Sequence, residues 1–556
     1  MAQISYWKIF FNFIGGLGLL LYGMYIMADG LQKIVGSKMK KLLEVLTRNK
    51  FLSVIVGAFV TGLIHSSAAV TVMVVGFVNA GLMDLGQTVG IIMGANIGTT
   101  VTSWLISSVE WLQILNPENL APIAVGIGAA MILFTKAKKE RLKSIGMITV
   151  GFGILFMGIN AMTQACLPLS NSPHARNAFL IMGKNPLLGL LAGIIVTAVL
   201  QSSSASVGIL QSLAILNLVP WNSAVYIIMG QNIGTCVTSL LSSIGTSKNA
   251  KATAYLHLTF NLVGSIIFSL IAIIYFTYIN PAVGFEFINL TQISIVHSVF
   301  NIGTTLLLYP FSNQLIKIAQ YLVRNIKDDE NEMVAHLDVR ILENPNFALE
   351  SCFNEIIRMG TMAQNNLKLS MDALLKLDEE KFDGILKREK QIDELEHAIT
   401  KYLVKICNTN VNYKANKFLT RLFHTVSDIE RVGDHCENIV EIAKFMLNEN
   451  IKFSEDAKSE LEEIFNMAIL CYSNSLRALE QNDKNLAAQT VFMEENIDAL
   501  EQELRDSHIE RLSNNQCDAK TNVAFLDTLT NLERISDHAL NISQVVLKYK
   551  LVKLSD

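Results

Sequence analysis

Apolar positions run in long blocks through the first 311 residues, near 9–28, 51–83, 85–109, 119–135, 144–164, 186–219, 222–244, 253–279 and 291–311. A bilayer core about 30 Å thick takes roughly 20 apolar residues as one helix, so seven of these blocks predict single spans. The blocks at 51–83 and 186–219 are too long for that. Each is broken near its middle by a polar cluster, His65-Ser66-Ser67 and Gln201-Ser202-Ser203-Ser204. Unwound backbone at membrane depth survives only where protein or a water-filled cavity satisfies it, which predicts two re-entrant hairpins. Past residue 345 the rhythm becomes amphipathic. Runs near 346–376, 378–408, 415–447, 455–482, 484–513 and 518–549 predict six helices, with no proline after Pro345 and no competing strand-like alternation.

Charge follows the same division. Residues 1–311 carry 16 Lys/Arg and 7 Asp/Glu, whereas the remaining 245 carry 29 and 42. A near-neutral total of −4 therefore joins a sparsely charged half of net +9 to a densely charged half of net −13. This excludes a single soluble domain and a nucleic-acid binder working through bulk basicity. If both hairpins return to the side they enter, the loops 29–50, 136–143 and 245–252 share one face with 13 basic residues, and the other face has three, Lys8, Arg176 and Lys184. That asymmetry predicts seven spans in the cytoplasmic (inner) membrane with the acidic half in the cytoplasm. The first apolar block is too long for a signal peptide, and seven cysteines without CxxC spacing predict no disulfides.

The chain repeats itself at an offset of 136. Residues 61–103 and 197–239 agree at 17 of 43 positions, including Ser66-Ser67 with Ser202-Ser203 and MGANIGTTVTS (93–103) with MGQNIGTCVTS (229–239). Three spans precede the second unit, so the hairpins are expected to enter from opposite faces, the inverted repeat of secondary transporters. Hydroxyls, the Asn96 and Asn232 amides and half-helix N-termini suit an anion, and carbonyls at broken helix ends suit sodium. The blocks 51–83, 85–109, 186–219 and 222–244 hold no Lys or Arg and no acidic residue, save Asp84 at an expected interface between them. An anion there needs cations that travel with it.

QSSSA at 201–205, both NIGT segments and the paired hairpins resemble the type II sodium/phosphate cotransporter family over about residues 10–310. HLTFN (257–261) and HSVFN (297–301) are similar to its His-x-x-x-Asn pattern. The resemblance implies that the hairpins meet and bind inorganic phosphate and sodium. Carried over by residue, the site is Ser66, Ser67, Gln201, Ser202, Ser203 and Ser204, with Asn96, Thr99, Asn232 and Thr235 beside them. Where the family has Gln-Ser-Ser-Ser, the first hairpin reads His65-Ser66-Ser67-Ala68, so an imidazole replaces an amide and one hydroxyl is lost. His65 thus joins the candidates. His257 and His297 read as interhelical hydrogen-bonding residues.

The acidic half repeats as well. IERVGDHCENI (429–439) parallels LERISDHALNI (532–542), and EKQIDELE (389–396) parallels EENIDALE (494–501). Glu430 and Asp434, like Glu533 and Asp537, are four apart and share a helix face. Asp393 and Asp498 stand as ligands from a neighbouring helix. Carboxylate faces brought together repel unless a cation lies between them, and hard oxygen donors suit Mg, Mn or Fe ions. The frame resembles the PhoU family, which implies two three-helix bundles with metal-bound carboxylates, divalent or ferric, and a role in phosphate homeostasis.

The expected fold class is therefore all-α. A membrane transport domain covers 1–326, with inverted repeats at about 9–135 and 144–279 and a last span at 291–311. A linker (327–344) leads to a PhoU-like helical domain (345–556). The expected function is sodium-coupled symport of phosphate, with export by the same fold or membrane phosphate sensing as alternatives. No nucleophile, base and orienting acid share a motif and no P-loop is present, so neither an enzyme nor an ATP-driven pump is expected. Expected partners are phosphate, sodium, the lipid bilayer and either a second copy or a cytoplasmic regulatory partner, with no nucleic acid.

Overall fold

The computed structural model describes residues 6–35, 49–111, 117–135, 139–170, 172–325, 337–343, 345–409, 413–514 and 516–548. The described residues are almost entirely helical, apart from an isolated antiparallel bridge between Pro220 and Phe287. They divide into two compact units, Met1–Glu330 and Asn331–Asp556. Residues 327–336 and 344 of the expected linker, and 36–48 and 136–138 of the basic loops, lie outside the described residues.

The first unit contains α1 (Tyr6–Val35), α2 (Lys50–Ile64), α3 (Ser67–Asn79), α4 (Leu85–Trp111), α5 (Pro117–Phe134), α6 (Glu140–Cys166), α7 (Pro173–Lys184), α8 (Pro186–Leu200), α9 (Ser203–Ile215), α10 (Trp221–Ser242), α11 (Lys248–Ile274), α12 (Leu290–Leu308) and α13 (Ser312–Val323). Among the described residues six helices are long and apolar enough to cross a membrane, over Trp7–Ile34, Leu85–Ser108, Glu140–Leu169, Trp221–Ser242, Lys248–Ile279 and Leu290–Val323. The seventh expected span, 119–135, is a shorter apolar helix over Asn119–Phe134. Two features exceed the sequence expectation. α7 meets α8 at a bend of 112°, where Asn185 caps α8 and Pro186 opens it. The last span also continues past residue 311 into α13.

Helix contacts fix the directions. Gly90 faces Ser53, Gly94 faces Val54 and Ala58, and Gly98 faces Ala58 and Thr61, so α2 and α4 run parallel in close contact. α3 joins the end of α2 to the start of α4 and must run back between them. At about 1.5 Å per residue its 13 residues retrace most of the 15 residues of α2, which makes the pair a hairpin. Gly193 faces Ile227 and Gln231, and Gly234 faces Ile194 and Thr197, so α8, α9 and α10 repeat the arrangement.

The two hairpins are inverted. Glu110 accepts from the backbone N–H groups of Leu290 and Thr291 and Ser103 bonds Ser294, so α4 and α12 are antiparallel. Phe268 stacks edge-on to Phe300 while Gly264 faces Thr304, which sets α12 against α11. Ser265 bonds the Met229 carbonyl and His257 bonds Ser239, which sets α11 against α10. Three reversals put α4 opposite to α10, and each hairpin follows its parallel partner. The boundaries obey the 136-residue offset: α2, α3 and α4 start at 50, 67 and 85, and α8, α9 and α10 at 186, 203 and 221.

The second unit contains α14 (Pro345–Lys376), α15 (Phe382–Cys407), α16 (Tyr413–Asn448), α17 (Glu455–Gln481), α18 (Lys484–Ser513) and α19 (Ala519–Lys548). α14, α15 and α16 pack as one three-helix bundle, α17, α18 and α19 as another, and α16 crosses α19 where the bundles join. Fully buried side chains such as Ile392, Ile429, Leu479 and Phe525 fill the bundles, as the amphipathic period requires.

Candidate functional site

The chain turns at each hairpin tip through two residues of matched conformation. His65 and Gln201 take left-handed backbone angles, φ 54° and 52°. Ser66 and Ser202 are extended and cap the returning helices, their hydroxyl oxygens accepting from the Ala69 and Ala205 N–H at 3.1 and 3.2 Å. The remaining first-turn N–H groups of α3 and α9 have no partner within the helix, so each tip carries donors and partial positive charge. Ser67, Ser203 and Ser204 are buried.

The tips touch. The Ser204 hydroxyl donates to the His65 carbonyl at 3.4 Å, across 139 residues of sequence. The symmetry breaks at the position where Gln and His differ: the His65 ring Nδ1 lies 3.0 Å from the Thr102 hydroxyl, whereas Gln201 is exposed. The counterpart of Thr102 is Thr238, whose buried hydroxyl has no partner among the described residues. Thr61 and Thr197, one turn before each tip and 136 apart, are likewise buried without a partner. Such atoms cost about 1–3 kcal/mol each when nothing satisfies them, a cost that a polar group beside them would relieve.

The NIGT segments hold complementary chemistry. Asn96 and Asn232 each donate one amide N–H to the carbonyl four residues back, Ile92 at 3.0 Å and Ile228 at 2.9 Å. Thr99 and Thr235 give their protons to the Ala95 and Gln231 carbonyls at 3.0 and 2.9 Å. What these four retain toward a guest is chiefly oxygen lone pairs, which suit a cation. The serine tips retain donors, which suit an anion.

Some nearby polar residues have structural duties. Gln211 donates to the Ser103 carbonyl and the Ser294 hydroxyl at 3.1 and 3.2 Å, tying the second hairpin to α4 and α12; no sequence pattern marked it. The Glu110 carboxylate caps the N-terminus of α12. His257 meets the Ser239 hydroxyl on α10 at 3.1 Å, as an interhelical residue should. His297 differs: it is buried, and neither ring nitrogen has a partner among the described residues.

The acidic half brings together two carboxylate sets. Oxygens of Glu389, Asp393 and Asp434 lie within 4.8 Å of one another, as do those of Glu494, Asp498 and Asp537. Glu389 and Glu494 were not singled out from sequence. The signal was available: each lies four residues before its Asp in the paired EKQIDELE and EENIDALE segments, the spacing that selected Glu430 and Glu533. Glu430 and Glu533 fall outside the tightest sets but feel them. Burial first, then Asp434 and Asp393, push the Glu430 carboxyl up, and burial and Asp537 do the same to Glu533. Burial, Asp393 and Glu437 push Glu389 up to about 7. Burial and neighbouring carboxylates also push Asp434, Glu494 and Asp498 up, and such all-carboxylate clusters fit a hard cation, which would relieve the repulsion. His435 Nδ1 bonds Asn531 at 2.8 Å and His538 Nδ1 bonds Asp428 at 3.0 Å, so both imidazoles serve the α16–α19 crossing.

Residues 19–164 and 169–294 match the family model described as Na+/Pi-cotransporter, and residues 356–443 and 461–546 match that of the PhoU domain. Over 97% of both chains, the sequence is 21% identical to the "Putative inorganic phosphate export protein YjbB" of Salmonella typhimurium. It is 28% identical to the uncharacterized protein YqeW of Bacillus subtilis, over 57% of this chain and 98% of that one. The crystal structure of PhoU from Pseudomonas aeruginosa covers 36% of this chain and 95% of its own, at 22% identity and a TM-score of 0.34.

Proposed function

Because the chain belongs to the Na+/Pi-cotransporter family and carries a C-terminal PhoU domain, we propose that it moves inorganic phosphate across the cytoplasmic membrane together with sodium, through the meeting point of its two hairpins. The observation that carries this reading is the contact between inverted tips, Ser204 to His65, inside helices almost devoid of charge. Hydroxyls of Ser66, Ser67, Ser202 and Ser203 and the backbone N–H of Ser204 face the anion in this account, with Gln201 and His65 at the turns. Oxygens of Asn96, Thr99, Asn232 and Thr235 take sodium, which supplies the positive charge the site lacks. Inverted hairpins offer the same site to either side as one repeat rocks against the other.

Direction then follows the gradients. Uptake is one outcome, and the export named for the Salmonella relative is favoured as the second by its match along nearly the whole chain. The domain division proposed is 1–326 for transport and 345–556 for a cytoplasmic unit whose clusters hold metal through Glu389, Asp393, Asp434 and Glu494, Asp498, Asp537, with Glu430 and Glu533 adjoining. Purified protein in liposomes tests the transport reading by labelled-phosphate exchange. Exchange that Ser203→Ala reduces at least tenfold is expected. Exchange indifferent to Ser203→Ala would move the site elsewhere.

A further inference from the structure

The two-fold relation between α16 and α19, an offset of 103 residues, produces two matching clefts beside their crossing. One, of about 360 Å³, is lined by Arg421, His424, Asp428, Arg431, Gln544 and Lys548. Its counterpart, of about 390 Å³, is lined by Glu441, Phe445 and Asp527 among others. Both volumes lie in the range of small-ligand sites.

The crossing itself is built alike on both sides. Asp428 accepts from His538 and Asn541 at 3.0 and 3.1 Å, while its equivalent Asn531 accepts from His435 and Asn438 at 2.8 and 3.1 Å. The cleft walls instead diverge in charge. Arg421 stands where the second cleft has Ala524, His424 where it has Asp527, Gln544 where it has Glu441, and Lys548 where it has Phe445. With histidine neutral, the first cleft carries formal charge +2 and the second −2, inside a half of the chain whose net charge is −13. The acidic residue in the lining, Asp428, already has one oxygen engaged by two donors, Arg431 also faces Glu430 and Asp434, and Lys548 is held over the cleft by Gln544 at 2.7 Å. Two guanidiniums and an ammonium lining one cleft complement the charge of a phosphate group and supply the donors its oxygens accept from.

We propose that the cleft between α16 and α19 lined by Arg421, Arg431 and Lys548 is an anion site for a phosphate-bearing small ligand, distinct from the hairpin site. Such a ligand arrives either free in solution or as a lipid headgroup. Because inorganic phosphate also engages the proposed transport site, the test needs a local readout. Hydrogen–deuterium exchange of the full-length detergent-solubilised protein is measured with inorganic phosphate, pyrophosphate, ATP or vesicles of phosphatidylglycerol.

Saturable protection of 421–431 and 541–548 by at least one of these is expected, without protection of 438–445 and 523–531. The half-saturating concentration should rise at least tenfold in Arg421→Glu/Lys548→Glu and stay unchanged in Glu441→Gln/Asp527→Asn. Protection by a soluble probe identifies a free ligand, and protection by vesicles alone a headgroup. If the double variant fails to fold, Lys548→Glu, at an exposed helix end, should still weaken binding about threefold or more. No protection by any probe, equal protection of both clefts, or protection that survives the charge reversal overturns the proposal.

Discussion

Replacing Glu389 with Gln should change stability in opposite directions with and without metal. In the metal-free protein three carboxylates crowd within 4.8 Å. The burial of Glu389, and then repulsion from Asp393, Glu437 and Asp434, hold its carboxyl up to about 7. A carboxyl raised on folding from an ordinary value near 4.5 favours the folded state fully below that value. The contribution is lost as pH rises through about 7. At pH 8 the native cluster therefore carries a penalty, on the order of 1–3 kcal/mol once partial solvation is allowed for. Glu389→Gln keeps the shape and removes the charge. In chelator at pH 8 its melting temperature should exceed that of the parent, and the gain should vanish at pH 4.5, where the parent carboxyl is largely protonated. With saturating Mn2+ the order should reverse, because a ligand oxygen is gone and binding stabilises only what it binds. Thermal melts of full-length protein in four conditions suffice. A variant less stable than the parent in chelator at pH 8 would refute the repulsion argument, and equal stabilisation of both by Mn2+ would refute the ligand assignment.

Three further outcomes follow from the geometry. Ser204→Ala removes the inter-tip hydrogen bond, so phosphate exchange should fall severalfold while the monodisperse profile on gel filtration persists, the bond itself being worth about 1 kcal/mol. Gly94→Ala should abolish folded yield in detergent, since a Cβ there would lie 2.0 Å from the Val54 carbonyl oxygen. The same change at Gly230, 2.1 Å from the Leu190 oxygen, should behave alike, whereas at Gly126, where a Cβ meets nothing within 4 Å, it should be silent. His508 is stacked 3.9 Å from the Phe525 ring, and burial and Arg511 lower its pKa from 6.5 to about 4. Its neutral form therefore supports the fold above pH 6.5, and that support is lost as pH falls toward 4. The melting temperature of His508→Gln should drop less than that of the parent across this interval.

The positions of the hairpin tips could be read from sequence because a membrane helix rarely tolerates a polar break, and the break recurred inside a matched unit. Inversion followed from counting spans and appeared in the structure as three antiparallel contacts. Directions inside a hairpin were less accessible: the parallel run of α2 along α4 depends on glycines whose close approach is invisible until the partner is known. The α7–α8 bend escaped notice since Arg176 and Lys184 made that stretch read as a loop. In the acidic half, attention to the ERxxDHxxN frame favoured Glu430 and Glu533 and passed over Glu389 and Glu494. Helical spacing places both kinds of pair on one face, but only the neighbouring helix decides which oxygens converge.

The account rests on phosphate and sodium crossing together, and dual-label flux tests that most directly. Liposomes containing the protein are given labelled phosphate and labelled sodium, with sodium gradients imposed inward, outward or replaced by potassium. Net phosphate movement should follow the sodium gradient in both directions, with sodium accompanying it, and should collapse in potassium. Phosphate flux of equal size in sodium and potassium, unaccompanied by labelled sodium, would contradict the account.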